Sequence, residues 1–121
     1  MTISGIAHVQ VSITAGGEDA ARHFYGGLLG LVELEKPEAL RERGGCWFAC
    51  GAQEIHCGVE PPQAPGKRHP ALLTDDLDGL KVRLAEAGVR TETDRQIPGY
   101  RRFYGWDPFG NRLEFLEPIA D

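Results

Sequence analysis

Three histidines and one glutamate have the residue types and spacing to act together as metal ligands: His8, His56, His69 and Glu114. His56 lies 26 residues after Gly30, where a first helix should end. Glu114 lies 26 residues after Gly88, where a second helix should end. His8 precedes the first of these glycines by 22 residues, and His69 precedes the second by 19. The spacing predicts an internal repeat that makes His8 equivalent to His69, and His56 to Glu114.

These side chains favour a divalent transition metal. Imidazole nitrogens with one carboxylate oxygen suit Zn²⁺, Ni²⁺, Fe²⁺, Mn²⁺ or Co²⁺, and the sequence does not choose among them. Calcium prefers more oxygen ligands. With neutral imidazoles the site would carry about one net positive charge, which favours an anionic substrate. Glu114 or His56, if released from the metal, could transfer a proton as a catalytic residue. His23, the fourth histidine, is expected on a solvated helix face.

Further candidates share strand parity with these ligands or lie in a neighbouring strand. Residues 6–13 alternate strictly, so that Gln10 and Ser12 share a strand face with His8. In the second half, Arg112 shares a face with the glutamate two residues later. We predict substrate-binding roles for Gln10, Ser12, Arg102, Tyr104 and Arg112. An arginine in this set would bind a carboxylate or phosphate, or would instead pair with a neighbouring acidic side chain.

Two copies of a βαβββ unit should position these residues. The first copy comprises strands near 6–13, 31–36, 46–50 and 54–59, with a helix ending at Gly30. A proline-rich linker at 60–68 follows. The second copy comprises strands near 69–74, 89–93, 102–106 and 112–116, and a helix capped by Asp75 or Asp76 and ending at Gly88. We predict one domain over 1–121, with module 1 at about 4–59 and module 2 at about 69–118.

Composition limits the partners. A chain of 121 residues with a net charge of −5 is typical of one acidic globular domain and lacks the basic surface that nucleic acids require. No apolar stretch is long enough to cross a membrane, and no signal peptide is evident, which favours a cytoplasmic protein. The three cysteines are expected to be reduced thiols.

The motifs resemble those of the vicinal oxygen chelate superfamily, which includes glyoxalase I, extradiol dioxygenases and bleomycin-resistance proteins. The resemblance rests on His8 in the first strand, the segment Phe24–Gly30, His69, and the run Tyr104–Phe115. It implies an α+β fold whose two βαβββ modules form a curved eight-stranded mixed sheet around a metal or ligand cavity, often in a homodimer. His56 departs from glyoxalase I, which has a glutamate or glutamine there.

The resemblance implies three functions for a protein with a small-molecule partner. The first is a metal-dependent lyase or isomerase that chelates two neighbouring substrate oxygens. The second is an Fe²⁺ extradiol-type dioxygenase, with His8, His69 and Glu114 as the iron ligands and His56 as an acid/base. That interpretation lacks the histidine expected before Tyr104, because residues 95–97 are Arg, Gln and Ile. The third is a non-catalytic drug-binding protein, which would not require four ligand-type side chains.

Overall fold

The computed structural model describes residues 1–120, and the chain divides into two compact units, Met1–Gln63 and Ala64–Asp121. Each unit contains one principal helix and a four-stranded mixed sheet. The structure therefore confirms the α+β fold and the two βαβββ modules. The eight strands form two hydrogen-bonded sheets of four, where the resemblance implied one sheet of eight.

The first unit is built on strands β1 (His8–Ile13), β2 (Val32–Leu34), β3 (Cys46–Cys50) and β4 (Gln53–Val59). Their order is β1-β4-β3-β2, with β1 parallel to β4 and the other pairs antiparallel. Helix α1 starts as an α-helix at Glu18–Ala21 and continues as a π-helix at Arg22–Leu28. A 3-10 helix at Glu38–Arg43 precedes β3, in a segment for which the sequence predicted no element.

Alternation in the strands determines which face of this sheet is buried. Val11 and Ile13 of β1 are buried, as are Phe48 of β3 and Ile55 of β4. Helix α1 contributes the buried Phe24 to the core of the same unit. The opposite face of β1 and β4 is left for the polar residues, as the period of two requires.

The second unit repeats this topology. Its strands are β5 (Ala71–Leu73), β6 (Thr91–Glu92), β7 (Tyr100–Trp106) and β8 (Arg112–Pro118), in the order β5-β8-β7-β6. Helix α2 spans Leu77–Glu86. Its N-cap is Asp76, whose carboxylate accepts a hydrogen bond from the backbone N–H of Gly79 at 3.0 Å. Leu84, Phe103, Leu113 and Phe115 are buried in this unit.

The predicted helix ends are confirmed, and one strand start is corrected. Gly30 and Gly88 both have φ of +74°, the left-handed conformation that ends a helix most easily at glycine. The strand predicted from His69 begins instead at Ala71. Pro70 has no N–H for the ladder, although its carbonyl accepts from the backbone of Glu114 at 3.0 Å. No helix within residues 1–120 is long and apolar enough to cross a membrane.

Candidate functional site

Three aromatic rings stack on the polar face of the first unit, and we call them the ring stack: Trp47, His56 and His8. The Trp47 and His56 rings lie 3.8 Å apart and are tilted by 3°, and the His56 and His8 rings lie 3.9 Å apart and are tilted by 15°. Strand register explains this order, because Trp47 of β3 pairs directly with His56 of β4. His56 in the middle is buried, whereas His8 at the outside is exposed.

Glu54 holds the central ring by its edge. Its carboxylate Oε1 lies 2.8 Å from Nε2 of His56. Because a carboxylate accepts and cannot donate, the imidazole Nε2–H is the donor, and Nδ1 of His56 carries the lone pair. Glu54 was not predicted as a site residue, although it lies two residues before His56 on β4 and therefore on the same face of the strand. The net charge of about +1 expected for the predicted metal site counted one carboxylate, that of Glu114, and did not include the negative charge of Glu54.

Gln10 and Ser12 lie on this polar face, as their alternation with His8 predicted. Gln10 pairs in register with His56, and its side chain lies against Gly58 of the adjacent strand. The Ser12 hydroxyl donates to the carboxylate of Glu60, the first residue after β4. The structure therefore places both side chains on the predicted face, and their role in binding substrate stays a prediction.

His69 and Glu114 meet in the second unit. Nε2 of His69 lies 2.9 Å from Oε1 of Glu114, which is buried. The other ring nitrogen, Nδ1, lies 2.7 Å from the carbonyl oxygen of Lys67. Since that carbonyl only accepts, Nδ1–H must donate to it, and the neutral ring then directs the Nε2 lone pair at the carboxylate. A cation is required between these two atoms, either a proton or a metal ion.

Arg102 and Tyr104 complete the surroundings of Glu114. One amino group of Arg102 lies 2.7 Å from the Tyr104 hydroxyl and 3.3 Å from Oε2 of Glu114. Burial disfavours the charge on Arg102, but hydrogen bonds to the tyrosine and the glutamate outweigh it and raise the pKa of the guanidinium. The two oxygens of Glu114 thus face different partners, His69 on one side and Arg102 on the other.

Arg112 lies on the same sheet face, two residues before Glu114 in β8. Its guanidinium carbon is 3.8 Å from the centre of the Tyr104 ring, a stacked cation–π contact. We call the whole group the arginine–tyrosine cluster: His69, Arg102, Tyr104, Arg112 and Glu114. The sequence predicted each of these residues, and the structure brings all five together within one unit.

The second unit fits a metal ion better than the first. Two ligand atoms bound at about 2.1 Å lie roughly 3.0–3.4 Å apart, close to the separation in the His69–Glu114 pair. The Nδ1–H bond to a backbone carbonyl is the usual orienting contact of a ligating histidine. In the ring stack, by contrast, nearly parallel imidazoles do not direct their lone pairs at one point. Within each unit, across residues 1–120, no three His, Cys, Asp or Glu side chains are grouped to hold a metal. That all four predicted ligands bind one ion stays a prediction.

Comparisons with known proteins agree with this architecture. The model of the glyoxalase/bleomycin resistance protein/dioxygenase superfamily matches residues 5–115. A Bacillus anthracis protein that carries a glyoxalase family description is 49% identical, with 98% of each chain covered and a TM-score of 0.89. None of the curated proteins compared with this chain matches it.

Two further structures with related folds differ in what their names describe. A lactoylglutathione lyase from Agrobacterium tumefaciens is 25% identical, covering 96% of this chain and 95% of its own, with a TM-score of 0.73. TnmS3, an antibiotic binding protein from Streptomyces sp. CB03234, is 26% identical, covering 98% and 99%, with a TM-score of 0.76. One name describes an enzyme and the other a binding protein.

Proposed function

Because this chain belongs to the glyoxalase/bleomycin resistance protein/dioxygenase superfamily, we propose that it is a metal-dependent enzyme of the lyase or isomerase type. Its substrate would be a small molecule with two neighbouring oxygens. The observation that carries the proposal is the His69–Glu114 pair, in which the ring nitrogen Nε2 and a carboxylate oxygen lie 2.9 Å apart and require a cation between them. A divalent ion there would polarise the substrate oxygens and stabilise the negative charge that develops on them.

In this proposal the side chains of the two units have separate tasks. The backbone carbonyl of Lys67 fixes the His69 tautomer, and Arg102 holds the second oxygen of Glu114, so the ligand atoms are oriented before any ion binds. In the first unit, Glu54 retains the Nε2 proton of His56 and leaves Nδ1 as a proton acceptor. We assign proton transfer to His56 on this basis. The homodimer implied by the resemblance stays part of the proposal.

Metal analysis of untagged protein tests the proposal. We expect about one divalent ion per chain, and about tenfold or greater loss of metal affinity in Glu114→Gln and in His69→Ala, because the first replaces an anionic oxygen ligand by a neutral one and the second removes a nitrogen ligand. His23→Ala is the matched control, since His23 is exposed and lies on helix α1 in the other unit. Metal content equal in all four proteins, or absent from the wild type after Zn²⁺ and Ni²⁺ loading, would refute the metal site.

Turnover assays then separate the reaction classes. Conversion of a hemithioacetal by the Ni²⁺- or Zn²⁺-loaded protein supports the lyase. Oxygen uptake with a catechol, seen only after anaerobic loading with Fe²⁺, would refute the lyase and support the extradiol-type dioxygenase. Both assays use the same Glu114→Gln variant as the inactive control.

A non-catalytic small-molecule-binding protein is the second candidate, and the ring stack favours it. Its outer ring, His8, is exposed, and stacked aromatic rings suit a flat organic ligand. The antibiotic binding protein TnmS3, at 26% identity, is consistent with this alternative. Tight binding of an aromatic drug by metal-free protein, lost in Trp47→Ala but unchanged in Glu114→Gln, would establish it.

A further inference from the structure

Three arginines of the second unit stack on aromatic rings, and one of them lacks a carboxylate partner. Arg90 lies 3.8 Å above the Trp106 ring and pairs with Glu92 at 3.1 Å. Arg102 lies 5.3 Å from the Tyr104 ring and pairs with Glu114. The side chain of the third, Arg112, has no ion pair or hydrogen bond to any of residues 1–120.

The guanidinium of Arg112 is only partly covered by the protein. Its Nε is buried without a hydrogen-bond partner, whereas the residue as a whole is only half-buried. A partly buried charge with neither a counter-ion nor a full set of acceptors lowers stability. The Tyr104 ring beneath it fixes the orientation of the planar group but neutralises none of its charge. This arrangement stabilises the fold poorly and suits recognition of an anion.

The neighbouring acidic side chain Glu114 does not neutralise Arg112. Glu114 is the acidic residue closest along β8, and its two oxygens are directed at His69 and Arg102. The single negative charge of Glu114 is shared between Arg102 and the cation required at His69, so none of it is left to balance Arg112.

We propose that Arg112 is the anion-recognising residue of the second unit and that it binds a carboxylate group of a small organic acid. The two terminal amino groups form a planar fork that matches two carboxylate oxygens. A planar carboxylate lies in the plane of this fork with both oxygens, whereas a tetrahedral phosphate has further oxygens out of that plane. Only the further step, that this acid is the substrate, rests on the proposed function above.

Arginine side-chain NMR tests the site without a mutation. Metal-free protein is titrated with sodium acetate at constant ionic strength, and with acetamide as the neutral isostere. The buried Arg112 Nε–H should give a slowly exchanging signal, assigned by its loss in Arg112→Lys, and it should shift with acetate but not with acetamide. An Arg112 signal that does not respond to acetate would overturn the proposal.

Matched variants separate recognition from folding. Arg112→Lys keeps the charge but loses the fork, and we expect its acetate affinity to fall about tenfold or more. Arg90→Lys is the control, because Arg90 has the same stacked geometry but an internal glutamate partner; its acetate affinity should be unchanged. Arg112→Met should unfold at the same temperature as wild type or higher, since it removes an uncompensated charge. A large drop in that temperature would indicate a structural role instead.

The outcome is independent of the metal site. Acetate binding through Arg112 in protein that takes up no metal supports this inference while refuting the enzyme proposed above. Metal uptake and turnover without a response of the Arg112 signal to acetate would support the proposed enzyme and refute this inference. Tighter binding of methylphosphonate or inorganic phosphate than of acetate would overturn the assignment to carboxylates.

Discussion

His56 is restrained by three neighbours in the first unit, and each restrains a different property. Trp47 and His8 cover the two faces of the imidazole, which prevents the ring from tilting. Glu54 binds its edge and fixes the proton on Nε2. A histidine with a defined tautomer and orientation is a better proton acceptor than a mobile one, because its lone pair is already directed.

Glu54→Gln should therefore lower kcat with little change in KM or metal content. The amide can donate as well as accept and does not hold the Nε2–H tautomer, so we expect a loss of about tenfold to a hundredfold in kcat. Steady-state kinetics on the turnover substrate measure this. Glu42→Gln, at an exposed position of the same unit, should match the wild type. Unchanged kcat in Glu54→Gln would remove the glutamate from the mechanism.

Strand parity predicts faces well but not contacts. Alternation correctly placed Gln10 with His8, and Arg112 with Glu114. It did not reveal the ring stack, which depends on the register of β3 against β4, nor the partition of Glu114 between His69 and Arg102. A sequence gives the face of each residue, whereas pairing across strands is determined by the turns and by packing of the whole sheet.

The turn between β7 and β8 positions Arg112 and Glu114, the two members of the arginine–tyrosine cluster that lie on β8. The Asp107 carboxylate accepts from the backbone N–H groups of Phe109 and Asn111, both at 2.9 Å, and from the Asn111 amide at 2.7 Å. The next ladder pair joins Trp106 to Arg112. This buried carboxylate therefore fixes where β8 begins.

Asp107→Ala should destabilise the protein by about 2–3 kcal/mol, since it leaves buried donors of the turn without their acceptor. Chemical denaturation monitored by circular dichroism measures the change. Asp75→Ala, an exposed aspartate just before the helix cap, should change stability by less than about 0.5 kcal/mol. Equal effects of the two substitutions would show that the turn contributes nothing specific.

Helix α1 is tied to the start of β3 by Glu18. The backbone N–H of Gly45 donates to its carboxylate at 2.9 Å, and this bond lowers the pKa of Glu18 below its ordinary value. A lowered folded-state pKa stabilises the protein above the unfolded value, about 4.3, and this contribution disappears as the pH falls through the folded value.

We accordingly expect Glu18→Gln to reduce the free energy of unfolding at pH 7 and to flatten its decline in acid. Urea denaturation at pH 7, 5, 4 and 3 measures both effects, and the difference between variant and wild type should narrow toward pH 3. Asp19→Asn is the comparison on the same helix, because Asp19 is exposed and shows no such backbone contact. A constant difference at every pH would contradict the linkage.

Elements were predictable where local chemistry decides them. The glycine stops, the Asp76 cap and the Asp107 turn each depend on a few adjacent residues, and all are observed. The π-helical part of α1 was not predicted. In this part the backbone N–H of Leu29 donates to the carbonyl of Phe24, five residues earlier. Phe24 and Tyr25 are both buried, and their packing in the core cannot be predicted from the local sequence pattern. The 3-10 helix at Glu38–Arg43 has no apolar period to reveal it.

At the scale of the whole molecule, one topology occurs twice with different chemistry on its polar face. The first unit carries stacked rings around a histidine, and the second carries a carboxylate between a histidine and an arginine. The repeat predicted from the glycine spacing therefore describes the backbone, whereas the side chains have diverged. A ligand of either unit should stabilise the chain by binding its folded state.

Metal binding should slow hydrogen exchange most in the unit that the metal stabilises. At metal concentrations about a hundredfold above Kd, the folded state gains about 2.7 kcal/mol. Hydrogen exchange with and without Zn²⁺ locates this gain. Slower exchange in peptides of β8 and of the segment around His69 is expected from the His69–Glu114 pair. Slower exchange also in β1 and β4 would show that the first unit is stabilised by the metal as well. Glu114→Gln should abolish every such change; protection that persists in that variant would place the metal elsewhere.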